Sequence, residues 1–293
     1  MNPAPQPKTV FITGCSSGIG LATAQLFFAR GWNVAATMRT PSASDLPALT
    51  GTTPDSDNRL LVIPLDVTES ASIGAAVAAA ISAFGTIDVL VNNAGYGQGG
   101  LFEALSRERV QKQFDVNVFG VMDVTRALLP HLRANPSDTA VVNVSSGAGL
   151  WGLPMTSLYS ASKFALEGFT EALSYELASQ NIRVKSVIPH GGVTATQFGA
   201  RFAAGSADAG GPGPGVAEAY AAFVQKTRES FAKMVAGAAI SSADVADTIY
   251  AAATDGTARL RYLVGDDARG FVAARYSSSD DASYMAAMRA YFA

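Results

Sequence analysis

Tyr159 and Lys163 stand four residues apart in Leu158-Tyr159-Ser160-Ala161-Ser162-Lys163, and Ser146 precedes them in Val144-Ser145-Ser146-Gly147. On a helix, that spacing puts the phenol and the ammonium on one face. The three types suit hydride chemistry at a carbonyl carbon. Adding hydride leaves an alkoxide that needs a proton, and the reverse reaction needs a base. A free phenol, with a pKa of about 10, is a poor base at neutral pH. A neighbouring ammonium favours the phenolate, and lowering the pKa by two to three units corresponds to roughly 3–4 kcal/mol. A serine hydroxyl can hold the oxygen on which charge develops. With nine tyrosines in the chain, Y-x-x-x-K alone is a weak signal. Its weight comes from position.

Near the N-terminus, Thr13-Gly14-Cys15-Ser16-Ser17-Gly18-Ile19-Gly20 follows a short apolar run and opens a helix-period segment. Glycines there allow a tight turn, a close approach of backbone to ligand, and packing of helix on strand. A helix N-terminus offers free N–H groups and partial positive charge. Gly14, Ser16, Ser17, Gly18, Ile19 and Gly20 are therefore a candidate pyrophosphate cradle. Its spacing is G-x-x-x-G-x-G rather than G-x-G-x-x-G, a related but different design. The same residues also fit G-x-S-x-G, with Ser16 as a hydrolase nucleophile. That reading needs a downstream acid and histidine, and His131 and His190 are the only histidines. The nucleophile elbow also usually follows several earlier strands.

The end of the second apolar run reads Ala36-Thr37-Met38-Arg39-Thr40, with no carboxylate until Asp45. An acid there would bond the adenosine ribose of NAD. Arg39 instead offers a planar donor fork for a 2′-phosphate. NADP(H) is favoured over NAD(H), with an NAD-preferring dehydrogenase as the alternative.

The elements that must position these residues follow from period. Short runs rich in Val, Ile and Leu lie at Val10–Thr13, Val34–Thr37, Leu60–Leu65, Asp88–Asn92, Ala140–Val144 and Ile182–Ile188, with a seventh near Leu260–Val264. They do not alternate strictly, which suits strands covered on both faces. Between them, Ile19–Arg30, Ser70–Phe84, Ser106–Leu132 and Leu158–Gln180 are long enough for helices. Gly31 and Gly85 end the first two, as left-handed caps would. Alternating strand and helix implies parallel strands with right-handed crossovers. The expected fold is a single α/β domain over 1–293 with a doubly wound, parallel, seven-stranded Rossmann-type sheet. Strand carboxyl ends line the ligand crevice of such a sheet, which brings Ser146 beside the glycine loop.

Two segments break the rhythm. Pro41–Asn58 reads as a long surface loop. Residues 194–215 end in GSADAGGPGPG, too rich in Gly and Pro for regular structure, and read as a mobile lid or a plain connector before a helical stretch at Val216–Val235. A helical tail over about 280–293 is expected to set Met285, Met288 and Tyr291 or Phe292 on one packed face.

Composition narrows the class. The chain has 293 residues, 48% apolar and 15% charged, with 21 basic and 24 acidic side chains and a net charge of -3. Global disorder is excluded, and the acidic balance argues against a nucleic-acid surface. Cys15 is the only cysteine, so no internal disulfide forms, and it reads as a small filler. No apolar stretch reaches membrane-spanning length. The first residues, MNPAPQPK, lack the basic start and apolar run of a signal peptide. A cytoplasmic protein is expected, with no membrane partner.

Thr13-Gly14-x-x-x-Gly18-x-Gly20, Asn92-Asn93-Ala94-Gly95, Ser146 and Tyr159-x-x-x-Lys163 together resemble the short-chain dehydrogenase/reductase family, in its shorter, non-extended branch. The resemblance covers roughly residues 8–200 and continues weakly to Val264-Gly265-Asp266-Asp267-Ala268. It implies Tyr159 as general acid/base, Lys163 as holder of the nicotinamide ribose and tuner of Tyr159, and Ser146 as the group orienting the substrate carbonyl. Asn117, in Phe114-Asp115-Val116-Asn117-Val118, would hold a water in a proton relay reaching Lys163. Asp66 and Val67 would face the adenine, and Asn93, Ala94 and Gly95 would line the adenosine side and brace the sheet. Asn92 and Asn93 also suit a turn after a strand.

The resemblance further implies a small-molecule carbonyl or alcohol substrate and a homodimer or homotetramer formed through the helices around 106–132 and 158–180. One departure is Pro189-His190-Gly191-Gly192-Val193-Thr194, with His between the expected Pro and Gly. Val193 and Thr194 or Thr196 would still meet the carboxamide. His190 reads as a local polar replacement or a substrate-side group, and no metal site is implied because ligand spacing is absent. Trp151, Leu153, Met155, Phe198 and Phe202 flank the catalytic loops and lid, as an apolar substrate pocket or as ordinary packing. A non-catalytic NADP(H)-sensing protein is the alternative from another class.

Overall fold

The computed structural model describes residues 6–42, 45–50, 58–190, 192–194, 202, 214–236 and 239–292. Seven strands, β1 (Thr9–Thr13), β2 (Asn33–Met38), β3 (Leu60–Pro64), β4 (Val89–Asn92), β5 (Thr139–Val144), β6 (Ile182–Pro189) and β9 (Arg261–Val264), form one sheet. Its order is β3-β2-β1-β4-β5-β6-β9, and every pairing is parallel. The expected doubly wound sheet is what forms.

The continuous apolar runs are explained by two cores. In β1, Val10 and Ile12 enter one cluster and Phe11 the other. Strand side chains alternate between faces, so a sheet covered on both sides wants no polar partner in the alternation. Helices α1 (Gly18–Ala29) and α8 (Ser242–Thr254) cover one face through Phe27, Phe28, Val245 and Ile249. Helices α3 (Ser70–Phe84), α5 (Gly120–Ala134) and α6 (Ser157–Ala178) cover the other through Ile73, Leu128 and Leu173. Strand order turns back between β1 and β4, which opens a crevice at their carboxyl ends.

The structure departs from the sequence reading in several places. Pro41–Asn58, expected as a loop, contains α2 (Asp45–Thr50). Asp45 accepts from the Ser42 N–H and hydroxyl, and Leu49 is buried in the first core. The helix expected at Ser106–Leu132 is two, α4 (Arg107–Phe114) and α5, joined by a π-turn at Asp115–Phe119. A second, two-stranded parallel sheet pairs β7 (Gly192–Thr194) with β8 (Ala239–Ser241). The candidate lid at 194–215 lies almost wholly outside the described residues, as do Thr196 and Phe198. Beyond it, α7 (Pro214–Ala236) is helical as expected.

Two further helices, α9 (Asp266–Ser277) and α10 (Asp281–Ala290), close the chain. The tail's packed face is the expected one only in part: Tyr284 and Met288 are buried and Phe292 lies against Phe231 at 5.9 Å, while Met285 and Tyr291 are each 42% exposed. The buried pair joins Leu150, Trp151, Ile188 and Phe271 in a third cluster. Among the described residues, no helix is long and apolar enough to cross a membrane.

Candidate active site

The glycine loop lies between the end of β1 and the start of α1. Gly14 and Gly18 have φ of 78° and 59°, in the region that favours glycine. A Cβ on Gly14 would stand 2.9 Å from the Ala94 Cα, and one on Gly20 would stand 2.2 Å from the Gly14 carbonyl oxygen. Asn93, after β4, holds the loop from behind: its Nδ2 donates to the carbonyls of Thr13 (2.9 Å) and Gly14 (3.1 Å). Thr13 reciprocates, its hydroxyl accepting from the N–H groups of Asn93 and Ala94. No side chain caps the N-terminus of α1 and no acid lies in its first turn. Ser16 is exposed, while Ser17, Gly18 and Ile19 are half-buried at the entrance. This cradle of close backbone and unopposed N–H groups fits a pyrophosphate. Cys15 is buried, and burial pushes its thiol up to about 12, so it packs and does not react.

Tyr159, Lys163 and Ser146 converge at the carboxyl end of β5. The first two lie on the buried face of α6, and Ser146 caps the short 3-10 turn Gly147–Gly149 by accepting from the Ala148 N–H at 3.2 Å. Tyr159 is buried and its phenol is hydrogen-bonded to the Ser146 side chain. Lys163 is also buried, its Nζ donating to the Val144 carbonyl at 2.9 Å and lying 5.9 Å from the Tyr159 ring centre. Burial pushes the phenol up to about 12, against the bond from Ser146. Burial likewise brings the ammonium down to about 8, while Glu167 opposes the fall. The ammonium is expected from the sequence to pull the phenol down; in this structure burial raises it and the Ser146 bond is what opposes the rise.

Asn117 sits in the π-turn, and its partners explain the turn. Its Nδ2 donates to the Tyr96 carbonyl (2.8 Å) and the Ser162 hydroxyl (3.3 Å), and its Oδ1 accepts from the Tyr96 N–H (3.1 Å). One side chain thus pins the loop after β4, where Gly95 leaves room for it, to α6. Such π-turns are frequent at functional sites.

The remaining predicted residues lie around the crevice. Arg39, just after β2, is exposed. Asp66 follows β3, and its carboxyl is held below the usual range first by the Thr68 N–H, with Arg39 and Lys112 adding to the effect. Val67 packs against Gly120, where a Cβ would come within 2.9 Å. Val193 in β7 packs on the first core.

The structure separates the alternatives left open for the flanking residues. Trp151 is fully buried and stacked on Phe271 at 5.2 Å, so it is core and lines no pocket. Leu153 packs on the same cluster. His190 stands edge-on to both rings, 4.8 Å from Trp151 and 4.9 Å from Phe271, with its Nδ1 2.7 Å from where a Gly147 Cβ would be. It packs beneath the Ser146 turn. Phe202 does face the site, edge-on to Tyr159 at 6.4 Å and against Gly99.

Sequence reasoning missed a buried polar ladder. Asn92 Nδ2 donates to Thr125 and Asn143, and Asn143 Nδ2 donates to Thr170, which ties α5, β4, β5 and α6 together across the sheet. It also missed Glu167, buried one turn beyond Lys163 and bonded to Ser186 and Arg261. The ladder carries no spacing signal, and although Glu167 continues the four-residue interval of Tyr159 and Lys163, the partners that bury it come from distant strands.

Comparison with known proteins agrees with the geometry. Residues 8–205 match the model of the short chain dehydrogenase family. The chain is 40% identical over 184 residues to a 3-ketodihydrosphingosine reductase of Bacteroides thetaiotaomicron, spanning 63% of this chain and 64% of that protein. It is 33% identical over 278 residues to the oxidoreductase BOA17 of Botryotinia fuckeliana, spanning 94% and 96%. It is 42% identical over 200 residues to human retinol dehydrogenase 8, spanning 67% and 61%. Among solved structures, a short-chain dehydrogenase from Streptomyces avermitilis superposes with a TM-score of 0.73 at 34% identity, covering 91% of this chain and 92% of that one. A 3-ketoacyl-(acyl-carrier-protein) reductase from Brucella melitensis, solved with NADH, superposes with a TM-score of 0.69 at 27% identity, covering 88% and 97%. With these matches the hydrolase reading at Ser16 falls, and the chain belongs to the short-chain dehydrogenase family of oxidoreductases.

Proposed function

We propose that this protein interconverts a ketone or aldehyde and an alcohol by direct hydride transfer with NADP(H), Tyr159 serving as general acid/base. The observation that carries the reading is the buried Tyr159 phenol, hydrogen-bonded to Ser146 and flanked by Lys163 at the carboxyl edge of the sheet. The nicotinamide supplies or accepts the hydride. Tyr159 gives its proton to the oxygen on which negative charge develops, and takes one back in the reverse direction. Ser146 holds that oxygen. Lys163 holds the nicotinamide ribose and, as a cation, favours the phenolate. Asn117 steadies the helix start that carries both and holds the water of a relay to Lys163.

The phosphate cradle is Gly14, Ser16, Ser17, Gly18, Ile19 and Gly20, with Asn93, Ala94 and Gly95 along the adenosine side, Asp66 and Val67 at the adenine, and Val193 at the carboxamide. NADP preference is supported by Arg39, exposed at the end of β2 where a carboxylate would select NAD. A bulky, apolar substrate is supported by Phe202 against Tyr159 and by the names of two relatives, which act on 3-ketodihydrosphingosine and retinol. Assembly as a homodimer or homotetramer is supported by Phe119 of the π-turn and by Phe164 and Tyr175 of α6, which are 48%, 40% and 74% exposed.

The test is a fluorescence titration with NADPH and, in parallel, NADH, followed by a panel of long-chain and ring ketones with wild type and Tyr159→Phe. Micromolar binding that favours NADPH, and turnover that the variant loses, are expected. Binding of neither nucleotide, or full turnover in Tyr159→Phe, refutes the reading.

A further inference from the structure

We propose that Glu167 is a positioning residue of the reaction, its carboxylate setting the charge around Lys163 from one helical turn behind. The inference rests on the Tyr159–Lys163 reading above.

Tyr159, Lys163 and Glu167 follow one another at four-residue intervals along the buried face of α6. A buried carboxylate is costly unless bonded, and Glu167, 4% exposed, is fully engaged. One oxygen accepts from the Ser186 hydroxyl of β6, and the other accepts from Arg261 Nε of β9 at 2.8 Å. Arg261 also reaches the half-exposed Glu171 at 2.5 Å through Nη2. The same Glu167 side chain abuts Gly149 in the turn that carries Ser146: a Cβ there would stand 3.0 Å from Glu167 Cγ and 2.9 Å from the Lys163 carbonyl oxygen. Glu167 thus touches the serine turn and lies on the same helical face as the lysine and tyrosine.

The groups facing Lys163 explain why charge matters there. From α6 come Tyr159 and Glu167, and from β5 the Val144 carbonyl. The π-turn reaches this helix through the neutral Asn117, bonded to Ser162 beside Lys163. Beyond Glu167 stand Arg261 and Glu171. Glu167 is the one charge that opposes the desolvation of Lys163, whose ammonium burial brings down to about 8. Removing an anion lowers the proton affinity of both members of the Tyr159–Lys163 pair, and removing Arg261 raises it.

A staple between α6 and β9 makes a different prediction from an electrostatic role. Glu167→Gln and Arg261→Gln both break that staple, but they change the charge near Lys163 in opposite senses. The experiment is the pH profile of kcat/KM for carbonyl reduction with NADPH in wild type and both variants, with melting temperatures alongside. The basic limb, which belongs to the Tyr159–Lys163 pair, is expected to fall by about one pH unit in Glu167→Gln and to rise in Arg261→Gln. Limbs that stay put, or move together, overturn the proposal and leave a staple. If Glu167→Gln fails to fold, the Arg261→Gln limb decides alone: a rise supports the proposal and no rise overturns it. Tyr159→Phe is run beside them. Turnover surviving in that variant marks failure of the functional reading itself, whereas a dead Tyr159→Phe with unmoved limbs marks failure of the Glu167 assignment only.

Discussion

Gly20→Ala isolates the phosphate cradle from everything else in the molecule. The added methyl would meet the Gly14 carbonyl oxygen at 2.2 Å, the Gly14 carbonyl carbon at 2.9 Å and Asn93 Nδ2 at 2.5 Å. Two of those atoms are backbone and the third is bonded to the same loop, so none can step aside alone. Ordinary contact with the oxygen requires a retreat of about 1 Å, and the N-terminus of α1 must move away from the loop it serves. Overpacking of this kind costs roughly 1–3 kcal/mol. If the helix moves, the N–H groups leave the pyrophosphate and the loss appears in NADPH affinity, about 5- to 150-fold. Whatever strain remains appears as a melting temperature lower by about 2–4 °C per kcal/mol.

Gly31→Ala, at the other end of the same helix, is the control. Its methyl meets no atom within 4 Å, but the residue has a φ of 85°, which strains an L side chain by about 1–2 kcal/mol. It should lower the melting temperature and leave the NADPH dissociation constant alone. Fluorescence titration and thermal melting of wild type and both variants make the comparison. A Gly20→Ala protein that binds NADPH within twofold of wild type and melts within a degree of it refutes the cradle.

Other perturbations bear on other parts of the site. Arg39→Asp should turn the NADP/NAD ratio of dissociation constants towards NAD by about tenfold or more, and an unchanged ratio makes Arg39 a bystander. Lys163→Met should abolish turnover yet raise stability. The folded-state pKa lies near 8 against 10.5 for the free side chain, so below pH 8 the native state carries an unfavourable ammonium worth about 3 kcal/mol. The unfolded chain binds the extra proton between pH 8 and 10.5, so wild-type stability gains with pH there and the variant's advantage fades, as melting at pH 7 and 10 would show. Asn143→Leu should lower stability by about 2–3 kcal/mol, since it strands buried partners on β4 and α6, and denaturant titration reads it directly.

Much of this molecule was legible because its signals are local. Val10-Phe11-Ile12 is apolar throughout since its side chains feed two cores, and that pattern alone announces a strand covered on both sides. Gly14 and Gly20 are forced by atoms of the same turn and the adjacent strand end, Gly18 by its positive φ, and Tyr159 and Lys163 are linked by helical spacing. What escaped depends on distant partners. The π-turn at Asp115–Phe119 is fixed by the bonds of Asn117 to the Tyr96 backbone and to Ser162, which no period within Ser106–Leu132 encodes. Whether Trp151 lines a pocket or packs was open in the sequence, because the ring that stacks on it, Phe271, comes from α9. Glu167 stood unremarked on a helix face because Ser186 and Arg261 arrive from β6 and β9.

The aromatic stack behind the Ser146 turn has a consequence for how the protein comes off the ribosome. Gly147 leans on Trp151 and His190, Trp151 on Phe271, and Phe271 on Tyr291 at 4.4 Å. The nascent chain therefore exposes the Trp151 indole well before its covering ring exists, and at roughly 5–20 residues per second the wait is on the order of ten seconds. Until α9 and α10 emerge, the glycine cradle can already be folded while the serine turn lacks its floor. The glycine-loop side of the crevice therefore depends on chain that emerges early, whereas the Ser146 side waits for the last two helices.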